Sequence, residues 1–319
     1  LVFDSTGERI VTASDDGTLS VWDLTQAIPT RTLNGHTSYV YDVAYSPDGK
    51  TAASASWDGT FRIWNLANGE ELSQLERESP SIATGVAYGP RGERLATWER
   101  DALRLWDVAT GECLQRVEVP FALPHNSRIA FSRDGTLIAT GSSAGEIYWW
   151  EGPAEQLTKT PAHELECVDV AISPDSRCLV SAGRDAMAFA WDTTTKEKIA
   201  ELSGHNRRVN AVDFSADGAL LATGSEDGTV RLWDANRFTL TAVLRHGTKV
   251  YDVAFHPDGE RLATACADNS IRIWDVATGD HVAELRGHEA YVHGLAFNAD
   301  GTRLLSASGD NTVRLWVAE

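Results

Sequence analysis

Between Gly204 and Asp234 the chain alternates short apolar runs with polar breaks: GHNRRVNAVDFSADGALLATGSEDGTVRLWD. The first run, Val209 to Phe214, ends at Ala216-Asp217-Gly218. The second, Leu220 to Thr223, ends at Glu226-Asp227-Gly228, and the third carries Val230 and Leu232 into Trp233-Asp234. Short β-rich runs broken by Asp-Gly pairs predict hairpins. Gly218 and Gly228 supply the positive φ that such turns need. The stretch therefore predicts three antiparallel strands.

The pattern recurs along the whole chain. Its closing tryptophan stands at Trp22, Trp64, Trp106, Trp150, Trp191, Trp233, Trp274 and Trp316, at spacings of 42, 42, 44, 41, 42, 41 and 42 residues. A period of this length, opened by Gly-His and closed by Trp-Asp, is that of one four-stranded blade per repeat. On these motifs the chain resembles the WD-repeat family over essentially its full length. The resemblance implies an all-β fold, a single closed β-propeller of eight four-stranded WD-type blades. A seven-bladed propeller plus one extra repeat is the alternative. The expected blades are about 1–33, 40–75, 85–117, 126–158, 167–202, 209–244, 250–285 and 292–319.

Two units depart from the pattern. Unit 3 opens with Glu76-Arg77-Glu78-Ser79-Pro80, without Gly-His, and its second hairpin is one residue short. Unit 4 has the turn Ser142-Ser143-Ala144-Gly145, without Asp, and Glu151 to Pro161 reads as irregular. Unit 8 stops after three strands, so an open sheet edge is expected there. Met187 is the only methionine, and arginine far outnumbers lysine. The chain reads as a C-terminal propeller cut from a larger bacterial multidomain protein.

Each WD-type blade is expected to hold a buried polar chain from Trp through Ser or Thr and His to Asp. Buried polar groups need partners, and a linked chain satisfies all four. Unit 2 supplies His36, Ser54, Asp58 and Trp64; unit 5 supplies His163, Ser181, Asp185 and Trp191. Unit 6 supplies His205, Thr223, Asp227 and Trp233, and unit 7 supplies His246, Thr264, Asp268 and Trp274 with the Gly of Gly-His deleted. Unit 8 supplies His288, Ser306, Asp310 and Trp316. Unit 1 keeps Thr12, Asp16 and Trp22; unit 3 keeps Thr97, Asp101 and Trp106; unit 4 keeps Thr140 and Trp150. Ser, His and Asp together also suit nucleophilic catalysis. Their recurrence in unit after unit marks them as structural, so no catalytic residues are expected. The loop histidines fall one per unit, which argues against a metal site.

The net charge of −18 argues against a nucleic-acid partner, which requires a clustered basic face. Cys113, Cys167, Cys178 and Cys266 show no CxxC spacing, and reduced buried thiols fit a cytoplasmic protein. No apolar run approaches the ~18 residues of a membrane helix, so no membrane partner is expected.

The resemblance further points to three positions per blade on the narrow face: three and five residues after the loop His, and just before the turn Asp. Unit 2 places Tyr39, Tyr41 and Trp57 there, unit 6 Arg208 and Asn210, unit 7 Lys249 and Tyr251, and unit 8 Tyr291, His293 and Gly309. Closure of the ring would bring units 7, 8 and 2 near one another. Tyr, Trp and Arg dominate protein-binding hot spots. The expected function is a non-catalytic interaction module, a scaffold or sensor domain of a larger signalling or regulatory protein. It binds a protein or peptide, or another domain of the same chain, on this face without a cofactor. Lys249 and Arg208 point to an acidic or mixed-charge ligand. Two alternatives stand beside it. One is a purely structural or oligomerisation block. The other is an enzyme resembling eight-bladed quinone-cofactor dehydrogenases, from which the chain departs in having no adjacent cysteine pair.

Overall fold

A computed structural model describes residues 2–3, 9–13, 17–23, 28–38, 40–75, 83–99, 102–118, 129–151, 156–298, 300–310 and 313–317. Strands are the only regular elements among them, arranged in eight separate antiparallel sheets. The fold is all-β, a multi-blade propeller type, and each sheet is one blade. The chain divides into two compact units, Leu1–His125 and Asn126–Glu319.

The first unit holds three four-stranded blades. Blade 1 comprises Val2–Phe3, Arg9–Ala13, Leu19–Asp23 and Ile28–Leu33. Blade 2 comprises Val40–Tyr45, Thr51–Ser56, Phe61–Asn65 and Glu71–Leu75. Blade 3 comprises Ala83–Tyr88, Arg94–Glu99, Ala102–Asp107 and Cys113–Glu118. Blade 3 exists despite its lost motifs, because its apolar positions survive: Leu95, Leu103 and Trp106 are all buried.

The second unit holds four four-stranded blades and one of three strands. The inner strands of blades 4 to 8 are Ile129–Phe131, Cys167–Ile172, Val209–Phe214, Val250–Phe255 and Val292–Phe297. The outer strands of blades 4 to 7 are Gln156–Pro161, Lys198–Leu202, Thr239–Arg245 and His281–Leu285. Blade 8 ends with Val313–Val317 as its third strand. The stretch from Glu151 to Pro161, irregular by sequence, supplies blade 4 with a regular outer strand. It pairs with Glu146–Glu151 over six residue pairs from Glu146↔Pro161 to Glu151↔Gln156.

Within each unit the core lies between successive blades. Leu232 and Leu244 of blade 6 pack with Val250, Val253, Leu262 and Trp274 of blade 7, all buried. Fully burying a side chain of this size stabilises the fold by roughly 1.5–3 kcal/mol. Blades 5 and 6 repeat the arrangement with Leu202, Val212, Leu221 and Trp233.

Two irregularities, one of them recurring, shape the start of the inner strands and the loops beside it. In blades 2, 5, 6, 7 and 8 the inner strand carries one extra residue near its start. In blade 7, Val250 pairs with Cys266 and Asp252 with Ala265, leaving Tyr251 outside the ladder. Its counterparts are Tyr41, Val168, Asn210 and His293. A bulge of this kind re-aims a side chain. The second irregularity is Gly309, whose missing Cβ would meet the Tyr291 ring at 2.6 Å. Glycine there leaves room for the aromatic ring.

Candidate functional site

The polar chains are complete and directional in four blades. In blade 2, Trp64 Nε1–H donates to Ser54 Oγ at 2.8 Å. The Ser54 hydroxyl donates to His36 Nε2 at 2.7 Å, and His36 Nδ1–H donates to Asp58 at 2.9 Å. The Thr37 amide also donates to Asp58, at 3.0 Å, which ties the loop to the turn. Blade 5 repeats this through Trp191, Ser181, His163 and Asp185, and blade 6 through Trp233, Thr223, His205 and Asp227. Blade 8 does so through Trp316, Ser306, His288 and Asp310.

Burial sets the charge states. It lowers the pKa of His36 and His205, which favours neutral imidazole. Burial opposes ionisation of Asp58 as well, but hydrogen bonds from Thr60, Thr37 and His36 prevail and hold it at about 2. The linkage of Ser54 to His36 to Asp58 has the connectivity of a nucleophilic relay. Its oxygen, however, is fully buried and already accepts the Trp64 N–H. A substrate has no path to it.

Blade 7 departs from the expected set. His246 still meets Thr264 at 2.8 Å, and Trp274 donates to Thr264 at 3.1 Å. His246 Nδ1–H, however, donates to the Leu244 carbonyl at 3.2 Å, not to Asp268. The cause is the deleted glycine: the outer strand Thr239–Arg245 of blade 6 runs directly into His246, and the ring faces its own strand. Asp268 pairs instead with Arg272 Nη2 at 2.6 Å and Ser270 Oγ at 2.6 Å. Burial without a carboxylate partner takes His246 down to about 4.

Blades 3 and 4 depart further. Trp106 donates to Thr97 at 2.7 Å. A buried ion pair, Arg104 Nε to Glu99 at 2.7 Å, joins the second and third strands of blade 3. In blade 4 the Trp150 Nε1–H has no hydrogen-bond partner among the described residues, so the expected bond to Thr140 is not made. Trp149 instead donates to Thr160 at 3.0 Å and stacks under Lys196 at 4.8 Å. Asp16 and Asp101 lie outside the described residues, as does the Trp22 side chain.

Sequence reasoning missed a set of buried or half-buried aspartates beside the inner-strand bulges. Asp42 accepts from its neighbour Val43 N–H and from Val86 N–H of blade 3, both at 2.9 Å. Asp169 takes Val212 N–H of blade 6 at 3.0 Å, and Asp252 takes Leu295 N–H of blade 8 at 2.8 Å. Blade 6 has Ala211 at that position, and Asp213, two residues on, reaches Phe255 N–H at 2.8 Å. Each carboxylate staples one blade to the next. A lone Asp inside an otherwise apolar inner strand was the available signal.

The face positions fall as follows. Trp57 is 40% exposed in the first unit. Tyr39 and the Tyr41 side chain lie outside the described residues. In the second unit, Tyr291 is 48% exposed and its ring sits 5.5 Å from Tyr251 and 6.0 Å from His293. Arg208 is half-buried near this cluster, and Lys249 is committed to Glu226 at 2.8 Å. The four cysteines are free thiols. Among the described residues, no group of three or more His, Cys, Asp or Glu side chains is placed to hold a metal ion.

The family described as "WD domain, G-beta repeat" matches at residues 1–23, 27–65, 124–151, 154–192, 196–234, 238–275 and 279–317. The chain belongs to the WD40 family. The unmatched stretch, 66–123, contains blade 3, which lacks the Gly-His opening but keeps Thr97, Trp106 and the apolar positions. Among known WD40-type relatives, the chain is 25% identical over 243 residues to "Serine-threonine kinase receptor-associated protein" of Dictyostelium discoideum, covering 72% of this chain and 78% of that protein. It is 33% identical over 241 residues to "WD repeat-containing protein 1" of Xenopus tropicalis, covering 57% and 40%. Against "Autophagy-related protein 16" of Arabidopsis thaliana it is 22% identical, covering 78% of this chain and 49% of that protein. The chain thus spans less than half of two of these three relatives. Among solved structures, the computationally designed Ika8 protein superposes with a TM-score of 0.86 at 24% identity, over 98% of this chain and 93% of that one. That likeness concerns the fold alone.

Proposed function

We propose that this WD40 chain is a non-catalytic interaction module that binds a protein or peptide at the bulged, loop-bearing end of its blades. The observation that carries this is the cluster of Tyr251, Tyr291 and His293. Tyr251 and His293 are extra residues of inner-strand bulges, and Tyr291 is held over Gly309 yet remains 48% exposed. Aromatic rings fixed in place give contact area at small entropic cost. Trp57 offers the corresponding surface in the first unit. The name of one relative records association with a kinase receptor, which favours a protein partner. A partner isolated by crosslinking through a probe at residue 291 tests the proposal. Tyr291→Ala and Tyr251→Ala should each weaken it by ~2 kcal/mol, as hot-spot truncations do, with melting temperature unchanged. Unchanged affinity in both folded variants would place the partner elsewhere.

A further inference from the structure

We propose that the cavity beside this cluster is a carboxylate pocket, taking one Asp or Glu side chain of a bound peptide onto Arg208. This rests on the loop-bearing end being the docking face. The cavity measures about 180 Å³ and lies among Asp169, Arg208, Glu226, Tyr251, Asp252 and His293. Pockets for drug-sized ligands run to roughly 300–1,000 Å³. This one suits a single side chain.

Its own acidic groups are already engaged. Asp169 accepts from Val170 and Val212 N–H at 2.9 and 3.0 Å. Asp252 accepts from Val253 and Leu295 N–H at 2.9 and 2.8 Å. Glu226 holds Lys249 at 2.8 Å, so that lysine is not available to a ligand. Arg208 differs: its Nε–H is buried and, among the described residues, has no hydrogen-bond partner. Buried donors are costly to leave unmet, so an acceptor brought to this guanidinium is stabilising. A guanidinium edge matches a carboxylate in a two-point bond. The Tyr251 and His293 rings border the same cavity, and partial shielding from water strengthens such a pair.

The charge count favours a carboxylate over a phosphate. Asp169, Asp252 and Glu226 border the same cavity and repel any anion, a phosphate dianion more than a carboxylate monoanion.

The test uses the whole chain, ¹⁵N-labelled, titrated with acetyl-Tyr-Glu-amide, acetyl-Tyr-Gln-amide and acetyl-phosphoserine-amide. The Glu probe should bind at least tenfold more tightly than the Gln probe and move the resonances of Tyr251, His293 and Arg208 Nε–H. Arg208→Gln should erase the discrimination, and Arg208→Lys, which keeps the charge, should retain part of it. Melting curves of both variants confirm that they fold. Equal affinity for the Glu and Gln probes, binding of neither, or preference for phosphoserine would each overturn the pocket. The docking-face reading fails differently: Glu/Gln discrimination persists while Tyr291→Ala leaves the crosslinked partner's affinity unchanged.

Discussion

A histidine in this chain is worth what its Nδ1 finds. In blade 6 it finds Asp227 at 2.9 Å; in blade 7 it finds a carbonyl. Asp227→Ala should therefore strand a buried His205 donor and cost ~1–3 kcal/mol. Asp268→Ala should cost less, because His246 does not depend on Asp268: the Ser270 bonds lost there match the Thr229 bonds lost at Asp227, and the Arg272 pair is part-exposed. Equal shifts in urea midpoint for the two variants would contradict this assignment. The same contrast governs pH. The folded pKa of His246, about 4, lies below its ordinary 6.5, so between those values the unfolded chain binds more protons. Stability is thus full above about pH 6.5 and falls as pH drops toward about 4. Asp58 acts in a lower window: its folded value of about 2 lies below the ordinary 3.8, so its contribution is present above 3.8 and lost as pH falls toward 2. His246→Gln should flatten the melting temperature's decline between pH 6.5 and 4 without removing it, since His36 and His205 shift the same way. An unaltered slope would show that His246 is not buried neutral.

At the scale of the strand, the feature that joins structure to function is the inner-strand bulge with its neighbouring aspartate. In blade 7 one residue, Tyr251, leaves the ladder for the surface, and the next, Asp252, bonds the Leu295 amide of blade 8. Asp252→Ala should leave two buried amides unmet and lower stability by about 2–3 kcal/mol or more. Asp252→Asn keeps an acceptor and should cost less. Hydrogen exchange at Leu295 should quicken in the alanine variant, and protection equal to wild type would rule out the staple. Little of this was legible beforehand. The period near 42, the strand pattern and the polar chains of blades 2, 5, 6 and 8 could be read directly, because apolar alternation and hydrogen-bond need act locally. The break in blade 7 could not, since it depends on how one deleted glycine turns a ring. The unpaired Trp150 and the Glu99–Arg104 pair depend likewise on neighbouring loops and on packing at one site. The Asp staples cross between blades more than forty residues apart, outside any local window.

For the molecule as a whole, blade 8 is the exception to the repeat. Its third strand, Val313–Val317, pairs with Arg303–Ser308 on one side and with nothing described on the other. Every other blade covers the equivalent edge with an outer strand, and in blades 5, 6 and 7 that strand brings Leu202, Leu244 or Leu285 opposite the first residue or two of the third strand. An uncovered edge presents unpaired amides and carbonyls to any chain that can add a strand. Val317 on that edge is 61% exposed, and Val282 of blade 7, beside the same apolar groove, is 55% exposed. The net charge of −18 opposes self-association at a distance but is screened within about 8–10 Å at ordinary ionic strength. Sedimentation should therefore show association that grows with protein concentration and with salt. Val317→Lys should suppress it, because a lysine on an edge strand discourages pairing, and melting temperature should not change. Amides of Val313–Val317 should also exchange faster than those of Leu220–Ser225, which is paired on both sides. A chain that stays monomeric across the whole concentration range, with both segments equally protected, would mean that this edge is covered.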